Sequence, residues 1–235
     1  MIRPRTFTVF ALFFSAFIFV VNSISFGAGE ILFQEDWEAG KIDKGIWIPA
    51  PGWNVVDGVL DANGGESGYT VQNDFVDFEF SADTQIIANY LGFVMRAQDQ
   101  GNLFMHQVGA GDPTIWWHSK VGGGWAPEQK PIESKLIPEL NVWYRMKFIV
   151  EGEQFTCLMA ERGEELNEED HLVGTWKHDA FDSGAIGFRH SGGEHAQYDN
   201  ILVTTIGYTT AVSPEGNLST AWGRLKADTS VANTF

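Results

Sequence analysis

Trp116, Trp117 and Trp125 fall close together in a sequence that also places Arg96, His106, His118, Arg189 and His190 in or beside segments of strand-like alternation. An indole offers a flat apolar face to the C–H surface of a sugar ring. Guanidinium, imidazole and amide groups reach its hydroxyls, so these residue types together are what saccharide binding asks of a surface. Trp116 and Trp117 are consecutive, and neighbours in a strand point to opposite sides. One of them must therefore face away from the core unless another layer covers it. Trp125 ends the run Gly122-Gly-Gly-Trp125, inside a segment from Val121 to Pro131 that reads as a loop, where burial is harder to arrange. Most of the 9 tryptophans of a β-rich chain belong to its core. The candidate saccharide contacts narrow to Arg96, His106, Trp116, Trp117, Trp125 and Arg189.

A second chemistry needs paired carboxylates. In Asp77-Phe-Glu-Phe80 the two acids share one face and Phe78 and Phe80 the other. Two carboxyls about 5 Å apart across a glycosidic bond can act as acid and nucleophile. Asp77 and Glu79 instead read as the wet face of an ordinary antiparallel strand. Gly-x-Ser-x-Gly, His-Glu-x-x-His, Cys-x-x-Cys and a phosphate-cradling glycine loop are all missing from the sequence, which leaves nucleophile-elbow, zinc-peptidase and nucleotide chemistry without support. The histidines are too scattered to read as a zinc site.

The elements that would hold these residues are short runs of alternating character, broken every ten residues or so by Gly, Asn, Asp or Pro, which is an all-β pattern. Leu91 to Val108 reads as a hairpin, with Gly101 free to take a positive φ and Asp99 or Asn102 bonding the local backbone. Asp57-Gly58 joins Trp53-Asn-Val-Val56 to Val59-Leu60 as a tight hairpin. Asn141 to Glu151 and Gln154 to Glu161 form another, with Tyr144, Met146 and Phe148 on the core side. Glu164 to Asp170 is acidic and reads as a solvated loop, or else a helical turn. Outside the first residues no long segment keeps a helical period, so two antiparallel sheets packed face to face are the expected architecture.

The chain has 235 residues and a formal charge of −16. Such a surface repels phosphate backbones and anionic membranes, which argues against nucleic acid as a partner and favours neutral glycans or cations. Arg3 and Arg5 precede an apolar run from Phe7 to Val21, followed by small and polar residues up to Ala28. That run is short of the roughly 20 residues of a spanning helix, and the pattern is that of a signal peptide over residues 1–28. It implies a secreted, periplasmic or cell-surface protein with no membrane span after cleavage. Residues 30–207 then form one sandwich domain, and 208–235 a polar tail that contains a chance-level glycosylation triplet at Asn217. Cys157, the single cysteine, shares the parity of Phe155 and Met159 and reads as a buried thiol rather than half of a disulfide.

Several segments resemble the concanavalin A-like lectin and glucanase superfamily, the jelly-roll group that includes laminin G-like and 3-keto-disaccharide hydrolase domains. They are Trp53-Asn-Val-Val-Asp-Gly-Val-Leu60, Asp77-Phe-Glu-Phe80, Gly92-Phe-Val-Met-Arg-Ala-Gln-Asp99, Asn102-Leu-Phe-Met-His-Gln107, Trp143-Tyr-Arg-Met-Lys-Phe148, and Gly187-Phe-Arg189 with Tyr198-Asp-Asn-Ile-Leu-Val203. The resemblance covers roughly Phe33 to Thr205 and is similar in its hairpin and ending to modules appended to bacterial glycoside hydrolases such as α-rhamnosidases. It implies a two-sheet antiparallel jelly roll, with an oligo- or polysaccharide as partner.

The resemblance also implies two further sites. Laminarinase-type relatives carry Glu-x-Asp-x-x-Glu, which Asp74-Phe-Val-Asp-Phe-Glu79 does not reproduce. The 3-keto-disaccharide hydrolase likeness points instead to His106, Arg96, Glu194 and His195 as acid–base candidates. Many superfamily members hold a structural calcium between first and last strands. The matching position is Asp199, with Asp36 as a second carboxylate, and hard oxygen ligands suit that ion. The resemblance together with Trp116, Trp117, Trp125, Arg96 and His106 leads to the expectation of an exported, non-catalytic saccharide-binding jelly roll that uses aromatic and Arg/His side chains on its concave face. A glycoside hydrolase or lyase and an adhesive protein-contact module are the alternatives, the latter requiring Trp116 and Trp125 both to be buried.

Overall fold

A computed structural model describes residues 29–126 and 132–209. The strands in chain order are β1 (Ile31–Glu35), β2 (Trp47–Ile48), β3 (Trp53–Val56), β4 (Val59–Asn63), β5 (Ser67–Thr70), β6 (Phe78–Ala88), β7 (Tyr90–Asp99) and β8 (Asn102–Gly109). They continue with β9 (Thr114–Val121), β10 (Gly124–Trp125), β11 (Ile132–Glu133), β12 (Trp143–Glu151), β13 (Gln154–Glu161), β14 (Leu172–Lys177), β15 (Ala185–Arg189) and β16 (His195–Thr204). One helical turn, α1 (Glu168–His171), precedes β14. The expected two-sheet antiparallel jelly roll is what forms. The first sheet runs β14-β13-β12-β6-β16-β4-β3 with β1 on β16, and the second runs β10-β9-β8-β7-β15-β5-β2 with β11 on β9.

Alternation dictates the packing. Along β12, Tyr144, Met146, Phe148 and Val150 are buried while Trp143, Arg145, Lys147 and Ile149 are half-exposed. The inward set of β12 meets Phe93, Phe104 and Phe188 from the opposite sheet in one aromatic core, where Phe93 and Phe148 lie 5.0 Å apart. Cys157 lies in that core, and burial pushes its thiol well up from its usual pKa. Trp37, Trp47 and Trp53 cluster at one end, with Trp37 and Trp47 centroids 5.2 Å apart.

The turns follow their local chemistry with two differences. Asp57 and Gly58 both have positive φ, 51° and 76°, and connect Val56 to Val59 as the two-residue hairpin that the dipeptide predicts. In the β7–β8 hairpin Asp99 Oδ1 accepts from Gly101 N at 2.6 Å and from Asn102 Nδ2 at 2.9 Å. Gly101, however, does not take the expected positive φ; that conformation falls on Arg96, at 49°, where the register with β8 shifts. Gly101 serves close approach instead, since a Cβ there would sit 3.2 Å from Gly123 N. The acidic segment gains a helical turn rather than staying a loop, because Asn167 Oδ1 accepts from Asp170 N at 2.9 Å and caps α1. The proposed leader, the tail from residue 210 and Asn217 lie outside the described residues. Among the described residues no helix is long and apolar enough to cross a membrane.

Candidate functional site

The outer face of the second sheet is built by parity. In β8, Phe104, His106 and Val108 point into the core, so Leu103, Met105 and Gln107 point out. In β9, Ile115 and Trp117 point in, so Trp116, His118 and Lys120 form a row on the outer face. Gly122 and Gly123, with φ of 61° and 85°, then turn the chain back so that Trp125 pairs with Lys120 in register. Trp125 is thus a strand residue, not the loop residue expected. Two consecutive glycines supply the paired left-handed conformations that make a two-residue reversal possible.

From the other side of the sheet, β15 sends Arg189 outward, opposite Ser67 of β5. Gly92 lies beneath it: a Cβ there would meet the Arg189 carbonyl at 2.6 Å. The Arg189 guanidinium reaches 3.6 Å from Met105 Sδ and lies 5.2 Å from the Trp125 ring centre. Lys120 Nζ lies 5.5 Å from the same ring and donates to the Gln100 carbonyl at 2.8 Å. His118 meets Trp125 edge-on at 5.8 Å and stacks on Trp116 at 6.3 Å. Beneath this layer Val94, Leu103, Met105, Ala97, Ala185 and Tyr69 form a second, buried apolar cluster. Gln100 Nε2 ties the β7–β8 turn to the Ser67 carbonyl at 2.5 Å, and burial raises the Tyr69 hydroxyl above its usual pKa. A cleft of about 110 Å³ opens here, lined by Gly65, Glu66, Ser67, Gln100, Leu103, Lys120, Trp125 and Arg189. Trp125 is 46 % exposed and Trp116 partly so, which removes the condition set for the adhesive module.

Three expected saccharide contacts are corrected. Arg96 is 2 % exposed and faces inward, donating to the carbonyls of Phe181 at 3.0 Å and Val76 at 2.7 Å, with Asp77 at 3.6 Å. The left-handed residue at Arg96 turns its side chain under the sheet, where burial lowers its pKa. His106 is fully buried between Phe148, Trp176 and Trp117, with no hydrogen-bond partner on either nitrogen among the described residues, and burial pushes its pKa down to about 3. Trp117 is also fully buried, against Phe155 and Trp176.

The acid–base candidates do not converge. Glu194 is 6 % exposed and its carboxylate accepts from Ser191 N at 2.6 Å, Ser191 Oγ at 2.9 Å and Gln107 Nε2 at 2.8 Å, which closes the 191–194 turn onto β8. His195, the next residue, points to the other sheet and bonds Asp61 at 3.0 Å. His106 lies between the sheets. His190 is buried too, with Tyr198 Oη at 3.0 Å, and burial holds its pKa down at about 3. Asp77 and Glu79 are structural as read: Asp77 accepts from Gly152 N at 2.8 Å, and Glu79 pairs with Lys147.

Of the proposed calcium ligands, Asp199 meets a different cation. Asp199 Oδ2 lies 3.4 Å from Arg162 Nη2 and 3.0 Å from Asn200 Nδ2. The adjacent Asp83, 1 % exposed, pairs with Arg145 and lies 3.0 Å from Arg162 Nε. Burial raises the Asp199 pKa, with Asp83 and Asp36 adding to the rise, and Asp36 Oδ1 accepts from Glu38 N at 3.2 Å. Guanidinium groups already answer Asp199 and Asp83, and the described residues contain no cluster of three or more metal-binding side chains. The donor set does not fit a calcium ion, which takes six to eight oxygens.

Parity was the signal for the outer-face residues that sequence reasoning missed. Lys120 continues the i, i+2 row of Trp116 and His118, whereas Gln100 and Ser67 join through turn and register alone. A larger cavity, about 250 Å³, lies between Leu136, Met159, His171 and Val173, away from every candidate above.

Comparison with known proteins agrees with the fold. A carbohydrate-binding module, CBM66, from Bacillus subtilis superposes with TM-score 0.53 at 16 % identity, covering 68 % of this chain and 95 % of that one. A galectin-like protein of unknown function from Bacillus subtilis gives 0.53 at 13 % identity, covering 76 % and 98 %. The β-glucanase of Bacillus licheniformis gives 0.50 at 11 % identity, covering 77 % and 99 %. No curated protein matches the sequence. The 3-keto-alpha-glucoside-1,2-lyase-like domain matches residues 32–204, and the chain belongs to that family.

Proposed function

We propose that the chain binds saccharides, without turning them over, through the outer-face cleft of the second sheet. The observation that carries this is Trp125, an indole 46 % exposed at the rim of a polar cleft and backed by Lys120 and Arg189. Exposed aromatic area costs a soluble fold little only when isolated; combined with Ser67, Gln100 and two cations it has the mixed character that fits a sugar ring's C–H face and hydroxyls. The row Trp116–His118–Lys120 extends the surface by roughly 13 Å at about 3.4 Å per residue, the length of a short oligosaccharide. Similarity to a carbohydrate-binding module supports the reading. The lining supports the non-catalytic reading: Glu66 is its one carboxylate among the described residues, and it is exposed and without an acid–base partner in the cleft. Export rests on the leader pattern of residues 1–28.

Affinity electrophoresis and calorimetry against neutral and acidic polysaccharides test binding. Retention on at least one glycan, lost in Trp125→Ala while circular dichroism shows the variant folded, is expected; no retention on any would end the proposal. Product release from a 3-keto-glucoside, measured in parallel, would replace binding with catalysis.

A further inference from the structure

We propose that the cleft selects saccharides bearing a carboxylate, with Arg189 and Lys120 holding that group; this rests on the saccharide-binding reading and narrows its ligand class. The basis is an imbalance in how the chain spends its cations. Arg96 faces Asp77, Arg145 and Arg162 face Asp83, and Lys147 faces Glu79. A chain of charge −16 has acids to spare. Yet no carboxylate among the described residues lies within 4.0 Å of Arg189 or Lys120.

The Arg189 guanidinium has five N–H donors, and its only hydrogen-bond partner among the described residues is the Met105 sulfur at 3.6 Å. A thioether is a weak acceptor, and a π face leaves the in-plane donors free. Lys120 spends one donor on the Gln100 carbonyl and has two more. Both cations line one cleft, so two sets of unspent donors share one space. A carboxylate matches the planar fork of a guanidinium in a way a hydroxyl does not.

Size and lining point to a sugar acid rather than a free anion. About 110 Å³ admits the carboxylate-bearing edge of a ring and leaves the rest against Trp125. Leu103 makes the floor apolar, and Ser67 and Gln100 supply polar groups beside it. Glu66, at the exposed rim, and the overall negative charge oppose approach of an extended polyanion. At a physiological Debye length of about 8 Å those charges are largely screened, while contact pairs are not.

The test measures binding of trigalacturonate, its methyl ester and a sulfated trisaccharide to the intact chain, alongside neutral glucans and fructans. Trigalacturonate should bind at least about tenfold tighter than the ester, the scale of one charge-assisted hydrogen bond. Arg189→Gln should abolish that preference and Lys120→Gln should reduce it, with both variants still folded by circular dichroism at the temperature of the binding measurement. Equal binding of acid and ester, or a preference that survives both substitutions, overturns carboxylate selection and leaves saccharide binding standing. Equal binding of the sulfated sugar overturns selection for carboxylate in particular. If no saccharide binds, neutral or acidic, the functional reading fails and the selection falls with it.

Discussion

Arg189 and Trp125 belong to strands four places apart in the second sheet, yet the guanidinium carbon lies 5.2 Å from the indole centre. Four strand spacings of about 4.8 Å separate their backbones by roughly 19 Å, so the sheet curves and the two side chains lean towards each other over its outer face. They roof the apolar cluster of Val94, Leu103 and Met105, which explains why outward-facing residues are buried. The cation–π contact is therefore both a cover for apolar surface and the rim of the cleft. Arg189→Ala should expose that cluster, raising the binding of a hydrophobic dye and lowering stability by about 1 kcal/mol. Unchanged dye binding would mean that the roof is formed by other residues.

The buried histidines predict acid sensitivity. His106 and His190 are both held down to about 3 by burial, while in the unfolded chain each titrates near 6.5. Between those values the unfolded state binds more protons, so their contribution is fully present above about pH 6.5 and is lost as pH falls toward 3, at up to about 1.4 kcal/mol per pH unit for each. Asp199 is raised by burial and acts in the opposite sense at the acid end. Urea titrations from pH 7 to 4 should show this slope, and His106→Phe should remove close to half of it. A slope unchanged in that variant would refute the assignment.

The Asp83 cluster predicts a large cost for a small change. Arg145, Arg162 and Asn200 all converge on a carboxylate that is 1 % exposed. Asp83→Asn leaves two guanidiniums facing an amide, and breaking a buried pair costs about 3 kcal/mol. Chemical denaturation of Asp83→Asn, and of Asp83→Asn with Arg162→Gln, measures this; the double variant should recover part of the loss.

The same cluster sets the expectation for calcium. With Arg162 at 3.4 Å from Asp199, added millimolar calcium or a chelator should leave the melting temperature unchanged. A rise with calcium that vanishes in Asp199→Ala would restore the ion.

Close strand approach predicts an intolerant glycine. A Cβ on Gly187 would collide with the backbone carbonyl of Gly68 in the adjoining strand. Gly187→Ala should destabilise by about 3 kcal/mol through overpacking. Gly122→Ala, with open space but a φ of 61°, should cost about 1 kcal/mol. A Gly187→Ala loss no larger than that of Gly122→Ala would refute overpacking as its cause.

What the sequence alone determined is the local part of this protein. Alternation placed Tyr144, Met146 and Phe148 in the core, Asp57-Gly58 made its hairpin, and the consecutive Trp116 and Trp117 required one indole to face outward. These are properties of neighbours, set by a period of two and by turn chemistry. Which tryptophan faced out, and that His106 and Arg96 faced in, depended on how each strand sits against its partners and on the register shift at Arg96. A one-residue slip exchanges the faces of a whole strand, so no local pattern decides it. The cleft is further from the sequence still. Ser67, Gln100, Lys120, Trp125 and Arg189 meet only because six strands curve into one sheet and two long side chains span it, and that geometry belongs to the packed pair of sheets.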